Sequence, residues 1–349
     1  MKKILLMPNS LKGSLSAGGF CIAARDALKN RAHIKALPVA DGGDGLIEVF
    51  KTAYPQCKEY KIPAPGAAHK IKKAPYLILP DKKTCIIETA KICGLAGLKK
   101  SGLAPLEATS AGVGFVIKAA AKKGAKIFYI GLGGVGCNDG GAGMAAALGF
   151  KLLDDKGRQI PRGAAGLLKL ARIKGGPQML KNLRFCGLSD VENPLLGPKG
   201  SARVYGPQKG ATPADVRVME RGLKNLAVVV KRDLGKNINK PRCGAAGAIA
   251  AGLRGFLDAR LLKGGPFIFK KLGAAQAVRG CDIVITAEGK LDAQTFYGKA
   301  PQLVCALARS YKKRLVFVCG INEIKNKTTL KKRGIGEVLE LIPLAKNAN

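Results

Sequence analysis

The segment KIFYIGLGGVGCNDGGAGMAAAL, residues 126–148, carries the reading of the fold. Its first five residues, Lys126 followed by the apolar Ile127 to Ile130, have strand length, and its last seven, from Ala142 to Leu148, are Ala-rich and helix-forming. Between them glycines crowd around Asn138 and Asp139. A strand that runs through a glycine loop into a helix is the repeating unit of α/β architecture. The same alternation extends outward in both directions. Strands are expected at 3–7, 33–39, 74–79, 84–88, 126–130, 283–286 and 314–318, and helices at 18–29, 43–53, 110–123, 142–148, 213–233 and 300–310. Thr212 before Pro213 is a plain helix-start signal.

The strands at 3–7, 283–286 and 314–318 share a buried, parallel character, so they are expected in one sheet. That makes the chain a two-domain α/β protein. Residues 1–65 with 283–349 form one discontinuous domain, and 66–282 form an inserted second α/β domain with a ligand-binding cleft between the two.

Composition narrows the class. The chain has 349 residues, 47% of them hydrophobic, yet no apolar run reaches the ~18 residues of a membrane span, and the run from Ile4 to Met7 meets Pro8 at once. The 10 cysteines include no CxxC pair, and His33 and His69 are the only histidines. Reduced, buried thiols in a cytoplasmic protein are expected. The 60 Lys plus Arg against 23 Asp plus Glu give +37, which raises nucleic acid as a partner. The basic residues are scattered doublets and triplets rather than a tail, and Trp is absent, so nucleic acid is expected only as a non-specific partner.

With acids scarce, their placement is informative. Asp41 and Asp44, Asp139, Asp190 with Glu192, and Glu288 with Asp292 fall in four loops. Carboxyl ends of strands are where α/β sheets bind ligands, so these acids are candidates for metal or catalytic work, although Asp beside Gly also makes turns and caps. Loop 131–143 is a candidate phosphate cradle, because glycine lets backbone amides approach an anion and a helix N-terminus follows. Gly131, Gly133 and Gly136 fit GxGxxG, but Cys137 to Gly141 interrupt the helix that a dinucleotide fold requires. Lys12, in the loop from Pro8 to Ser14, is placed to hold a carboxylate or phosphate, with Ser14 or Ser16 as an ordinary cap.

Seven blocks, in order, resemble the bacterial-type glycerate kinases. They are PNSLKGSL (8–15), ADGGDGL (40–46), IGLGGVGCNDGGAGM (130–144), DVENPLLGPKG (190–200), YGPQKGA (205–211), GAAGA (244–248) and TAEGKLDAQTFYGK (286–299). Departures from that family's pattern are Asn9 for Asp, Leu11 for Phe, Gly13 for Glu, Val135 for Ser, Cys137 for Thr, Ala287 for Gly and Lys290 for Arg. The resemblance implies one flavodoxin-like domain and transfer of phosphate from ATP to D-glycerate with Mg²⁺, giving 2-phosphoglycerate. On that basis Gly133, Gly134, Gly140, Gly141 and Lys209 are expected at phosphate, with Ser10, Asp41, Asn138 and Asp139 among the binding residues. Lys12 and Ser14 are expected at the substrate carboxylate or the transferred phosphate, Asp190 at the attacking hydroxyl, and Glu288 and Asp292 at the metal.

Overall fold

Continuous apolar runs become inner strands buried on both faces, as in Thr84–Glu88, where all five residues are buried. The computed structural model describes residues 1–11, 14–96, 98, 103–296 and 299–342. Two compact units are present, one comprising Met1–Asp41, Glu48–Pro55 and Gly264–Asn349, the other Gly42–Ile47 and Gln56–Lys263.

The first unit is built on a five-stranded, wholly parallel sheet. Its spatial order is Ala32–Ala36, Lys2–Leu6, Ile283–Leu291, Arg314–Asn322 and Glu337–Glu340. Numbered along the chain within this unit, that order is 2-1-3-4-5, the flavodoxin-like arrangement, and it reverses direction between Lys2–Leu6 and Ile283–Leu291. The three strands expected in one sheet are together. Leu5, Val284, Val304, Leu315 and Phe317 belong to one core cluster of this unit.

The second unit has a six-stranded mixed sheet in the order Arg260–Leu262, Arg184–Leu188, Ile127–Gly131, Thr84–Glu88, Ile71–Ile78 and Lys58–Pro65. The first four strands run parallel, while Ile71–Ile78 is antiparallel to both its neighbours. Helix Ala111–Lys122 buries Val113, Val116, Ile117 and Ala120, a stripe at helical spacing, in the same core as Phe128, Ile130 and Met144. Helix Pro213–Leu234 opens with a capping box between Thr212 and Asp215 and ends at Gly235 in the left-handed conformation.

The unit borders differ from those expected at 65/66 and 282/283. Lys58–Pro65 pairs with Ile71–Ile78 and so joins the second unit. Phe269, Ala274 and Val278, on helices Gly264–Lys271 and Ala274–Arg279, belong to the first unit's core.

Cys57 and Cys186 are half-buried and the remaining cysteines are buried, all of them free thiols. Burial pushes the thiols of Cys21 and Cys305 up to about 12. Lys209 is the one buried Lys or Arg among the described residues, so the basic excess is otherwise solvent-facing. No helix among the described residues is long and apolar enough to cross a membrane.

Candidate active-site residues in each unit

In the second unit the candidate residues follow the carboxyl ends of parallel strands. Ile127–Gly131 leads into the glycine loop, Arg184–Leu188 into Asp190, and Thr84–Glu88 ends on Glu88. The glycine loop is not uniform along its length. Gly133 is half-buried and Gly134 exposed, whereas every residue from Val135 to Gly143 is buried.

The buried half is a polar network. Asp139 is fully buried, and its carboxylate accepts hydrogen bonds from the Ser110 amide at 2.8 Å, the Ser110 hydroxyl at 2.9 Å, and the amides of Gly141 and Gly143, each at 3.1 Å. These donors stand at the starts of helices Ala111–Lys122 and Ala142–Leu148, so one carboxylate holds two helix N-termini. Burial raises its pKa, and the four hydrogen bonds pull the other way.

Beside it, the Lys209 ammonium donates to the Cys137 carbonyl at 2.7 Å and to Asn138 Oδ1 at 2.8 Å. Desolvation pushes Lys209 down to about 8. The lysine, expected at phosphate, is 2% exposed and ties the segment Pro207–Lys209 to the loop.

Gly140 and Gly141 are packed closely against neighbouring elements. A Cβ on Gly140 would lie 2.4 Å from Leu226 Cδ2, and one on Gly141 would lie 2.9 Å from the Gly252 Cα. The amide of Gly140 donates to Gly247, and that of Gly141 to Asp139. Close packing accounts for glycine at both positions. Gly133 and Gly134 are where this loop reaches the surface.

Asp190 is half-buried just beyond Ser189, whose amide donates to the Leu262 carbonyl. Glu192 is instead an exposed ion-pair partner of Arg242 at 2.7 Å and Lys263 at 3.7 Å, which hold its carboxyl below the usual range.

In the first unit, the strands flanking the topological switch point lead to Ser10 and to Asp292, the place where such sheets accept ligands. The Asn9 amide donates to the Ala287 carbonyl at 2.9 Å and Asn9 Oδ1 accepts from the Ser10 amide at 2.9 Å, so this loop is anchored to the neighbouring strand. Lys12 lies outside the described residues. Ser14 is exposed, and the helix cap is Ser16, whose Oγ accepts from the Gly19 amide and donates to Glu48.

Asp41 accepts the amide of Ala300, first residue of helix Ala300–Ser310, where an acid suits the helix dipole. Glu288 was expected in a loop and instead lies within Ile283–Leu291, opposite Cys319, because that strand continues along Arg314–Asn322. Asp292 and Thr295 exchange hydrogen bonds, each side chain accepting the other's amide at 3.1 Å, around the short turn Ala293–Phe296. Lys290 reaches Asp292 at 4.0 Å and Glu323 at 2.7 Å. Among the described residues no three His, Cys, Asp or Glu side chains gather into an all-protein metal cage.

The sequence reading missed Glu88. Its carboxylate is 1% exposed and accepts the amides of Gly45 and Ile47, each at 3.0 Å. An acid directly after the apolar run Cys85 to Ile87 of strand Thr84–Glu88 is the signal that marks it.

Comparison with known proteins places the chain in a family. The profile of the glycerate kinase family matches residues 4–349. The glycerate 2-kinase of Escherichia coli is 36% identical over 324 residues, spanning 91% of this chain and 85% of that protein. The glycerate kinase of Halalkalibacterium halodurans is 36% identical over 327 residues, spanning 92% of this chain and 86% of its own. A crystal structure assigned to a glycerate kinase 2 of Salmonella typhimurium has a TM-score of 0.84 at 34% identity, covering 97% of this chain and 90% of that one. With matches of this length across both units, the chain belongs to the glycerate kinase family.

Proposed function

We propose that the chain transfers the γ-phosphoryl group of ATP to a hydroxyl of D-glycerate, giving 2-phosphoglycerate and ADP. The observation that carries this reading is the family match over residues 4–349, which runs through every candidate loop. Phosphoryl transfer needs positioning and charge neutralisation more than covalent chemistry, which suits a protein whose candidate residues are amides, cations and loop acids.

The division of labour follows from exposure. Gly133 and Gly134, at the surface end of the glycine loop, are assigned to phosphate contact. Asn138, Asp139 and Lys209, buried behind them, hold the loop and do not touch substrate. Lys12, Ser10 and Ser14 are assigned to the glycerate carboxylate or the transferred phosphate. Asp190, half-buried after its strand, is assigned to accept the proton as the glycerate oxygen bonds to γ-phosphorus and the bond to the β–γ bridging oxygen breaks.

Glu288 and Asp292 are assigned to Mg²⁺. One or two carboxylates with phosphate oxygens and waters are its ordinary binding mode, which two acids on and just after one strand suit. When bound, the ion would neutralise charge on the phosphate oxygens.

A coupled assay of ADP release with D-glycerate and MgATP tests this reading. Direct coupling of the product to enolase, which takes the 2-phosphate and not the 3-phosphate, reads the position. Stoichiometric ADP with an enolase signal is expected. Folded protein that shows no turnover at any Mg²⁺ level overturns the activity, and turnover without an enolase signal overturns the 2-phosphate.

A further inference from the structure

The strand Thr84–Glu88 passes directly into helix Thr89–Cys93, and the two junction residues serve two different loops. Glu88 Oε1 accepts from the Gly45 amide and Oε2 from the Ile47 amide, both at 3.0 Å. Thr89 Oγ1 donates to the Gly131 carbonyl at 2.7 Å, with the Gly133 carbonyl at 3.4 Å. The loops also meet each other. The Leu132 amide donates to the Gly42 carbonyl at 2.9 Å, and a Cβ on Gly131 would stand 2.8 Å from that same oxygen. Any shift of one loop along the other would separate these groups.

Core filling does not account for the two residues. Ile86 and Ile87, immediately before them, are fully buried and apolar, while Glu88 and Thr89 place a carboxylate and a hydroxyl at equal depth. Burying a carboxylate is costly unless hydrogen bonds recover it, and here the bonds go to the Gly45 and Ile47 amides, where one glycine-rich loop enters helix Leu46–Ala53. The neighbouring hydroxyl goes to the backbone of the other.

We propose that Glu88 and Thr89 are paired positioning residues that hold loop 42–45 and the helix start at Leu46 and Ile47 in register with loop 131–134, so that the backbone at Gly133 and Gly134 is set for the substrate phosphate. Neither side chain touches the phosphate. The inference rests on the phosphoryl-transfer reading above for its kinetic consequence, and on the hydrogen bonds alone for its structural one.

Glu88→Gln keeps the shape but turns an NH₂ group toward one of the two amides, and Thr89→Val removes only the hydroxyl. Each is expected to raise the KM for ATP by about 10- to 100-fold with a smaller change in kcat, the scale of one lost charge-assisted or buried hydrogen bond. Thr89→Ser, which restores the hydroxyl, is expected to return KM to within about threefold of the parent. The double variant should lose less than the product of the single effects, because both act on one register. Parent-like KM in both single variants overturns the proposal. So does a loss that tracks the folded fraction and is no smaller in Thr89→Ser than in Thr89→Val.

Hydrogen exchange on the same variants needs no turnover. Faster exchange at Gly45, Ile47 and 132–134, with the rest of the second unit unchanged, supports the pairing, and unchanged exchange there overturns it. A parent that fails to phosphorylate glycerate sinks the functional reading, and exchange then decides the register on its own.

Discussion

Asp139 in the second unit and Asp292 in the first are both loop acids next to glycine- or turn-rich sequence, and they are held in opposite ways. Asp139 is fully buried and surrounded by four donors that belong to two helix starts. Asp292 is partly exposed, caps a single short turn, and faces Lys290 at 4.0 Å. A buried acid with every partner supplied by the chain is a structural part. A partly exposed acid at the end of a sheet strand keeps part of its carboxylate within reach of solvent. Position after a strand therefore nominates an acid, and burial decides what it does.

The largest expected effect tests the buried member. Asp139→Ala should cost on the order of 5 kcal/mol or prevent folding, because it leaves four buried donors without an acceptor, and Asp139→Asn should cost about 2 kcal/mol. Urea unfolding measures both. A loss below ~1 kcal/mol for the alanine variant breaks the comparison at its stronger end.

Next is Lys209, whose folded value lies near 8 and whose unfolded value is that of an ordinary lysine, ~10.4. Below pH 8 both states hold the proton and burial of the charge counts fully against folding. Between ~8 and ~10.4 the native state releases it first, the unfolded state binds more protons, and stability rises with pH. Stability of the parent minus that of Lys209→Met should climb by about 3 kcal/mol across this window. A flat difference would mean that the ammonium is not desolvated.

The exposed member is tested by activity. Asp292→Asn should lower turnover by about two orders of magnitude, near 3 kcal/mol of transition-state stabilisation, and shift the Mg²⁺ requirement. Its stability should change by less than ~1 kcal/mol, since Asn caps as well as Asp. Near-parent turnover with an unshifted Mg²⁺ dependence would make Asp292 a capping residue like any other.

The smallest effect concerns the solvent-facing lysines. Raising KCl from ~0.05 to ~0.5 M should lower kcat/KM for the anionic substrates several-fold while kcat changes little, because screening weakens approach more than close contact. A salt-independent kcat/KM would disconnect the +37 charge from substrate capture.

Much of the fold was legible because helices such as Pro213–Leu234 have local start and stop signals, Thr212 with Pro213 before and Gly235 after. Lys58–Pro65 was not, since Pro63 and Pro65 argue against a strand unless it lies at a sheet edge, which is where it lies. Arg184–Leu188 was hidden by Gly187, which is there because a Cβ would meet Leu132 Cδ1 at 2.8 Å. Helix Ile249–Leu257 is buried at eight of its nine residues, so it shows no polar face and no period to read.

In the candidate site, the loops were legible and their depth was not. What buries Gly140 is Leu226, and what fills Glu88 is a pair of amides 41 and 43 residues earlier in the chain. Contacts of that range leave no local pattern.

The sealed thiols turn the protein into its own clock. Cys21, Cys281, Cys305 and Cys319 lie in the first unit, and Cys85, Cys93, Cys137 and Cys243 in the second. A buried thiol is out of reach of an alkylating reagent, so each modification event records a moment at which its surroundings opened. Mass-resolved alkylation then yields two independent opening rates from one unmodified sample, without a probe having to be engineered into either half.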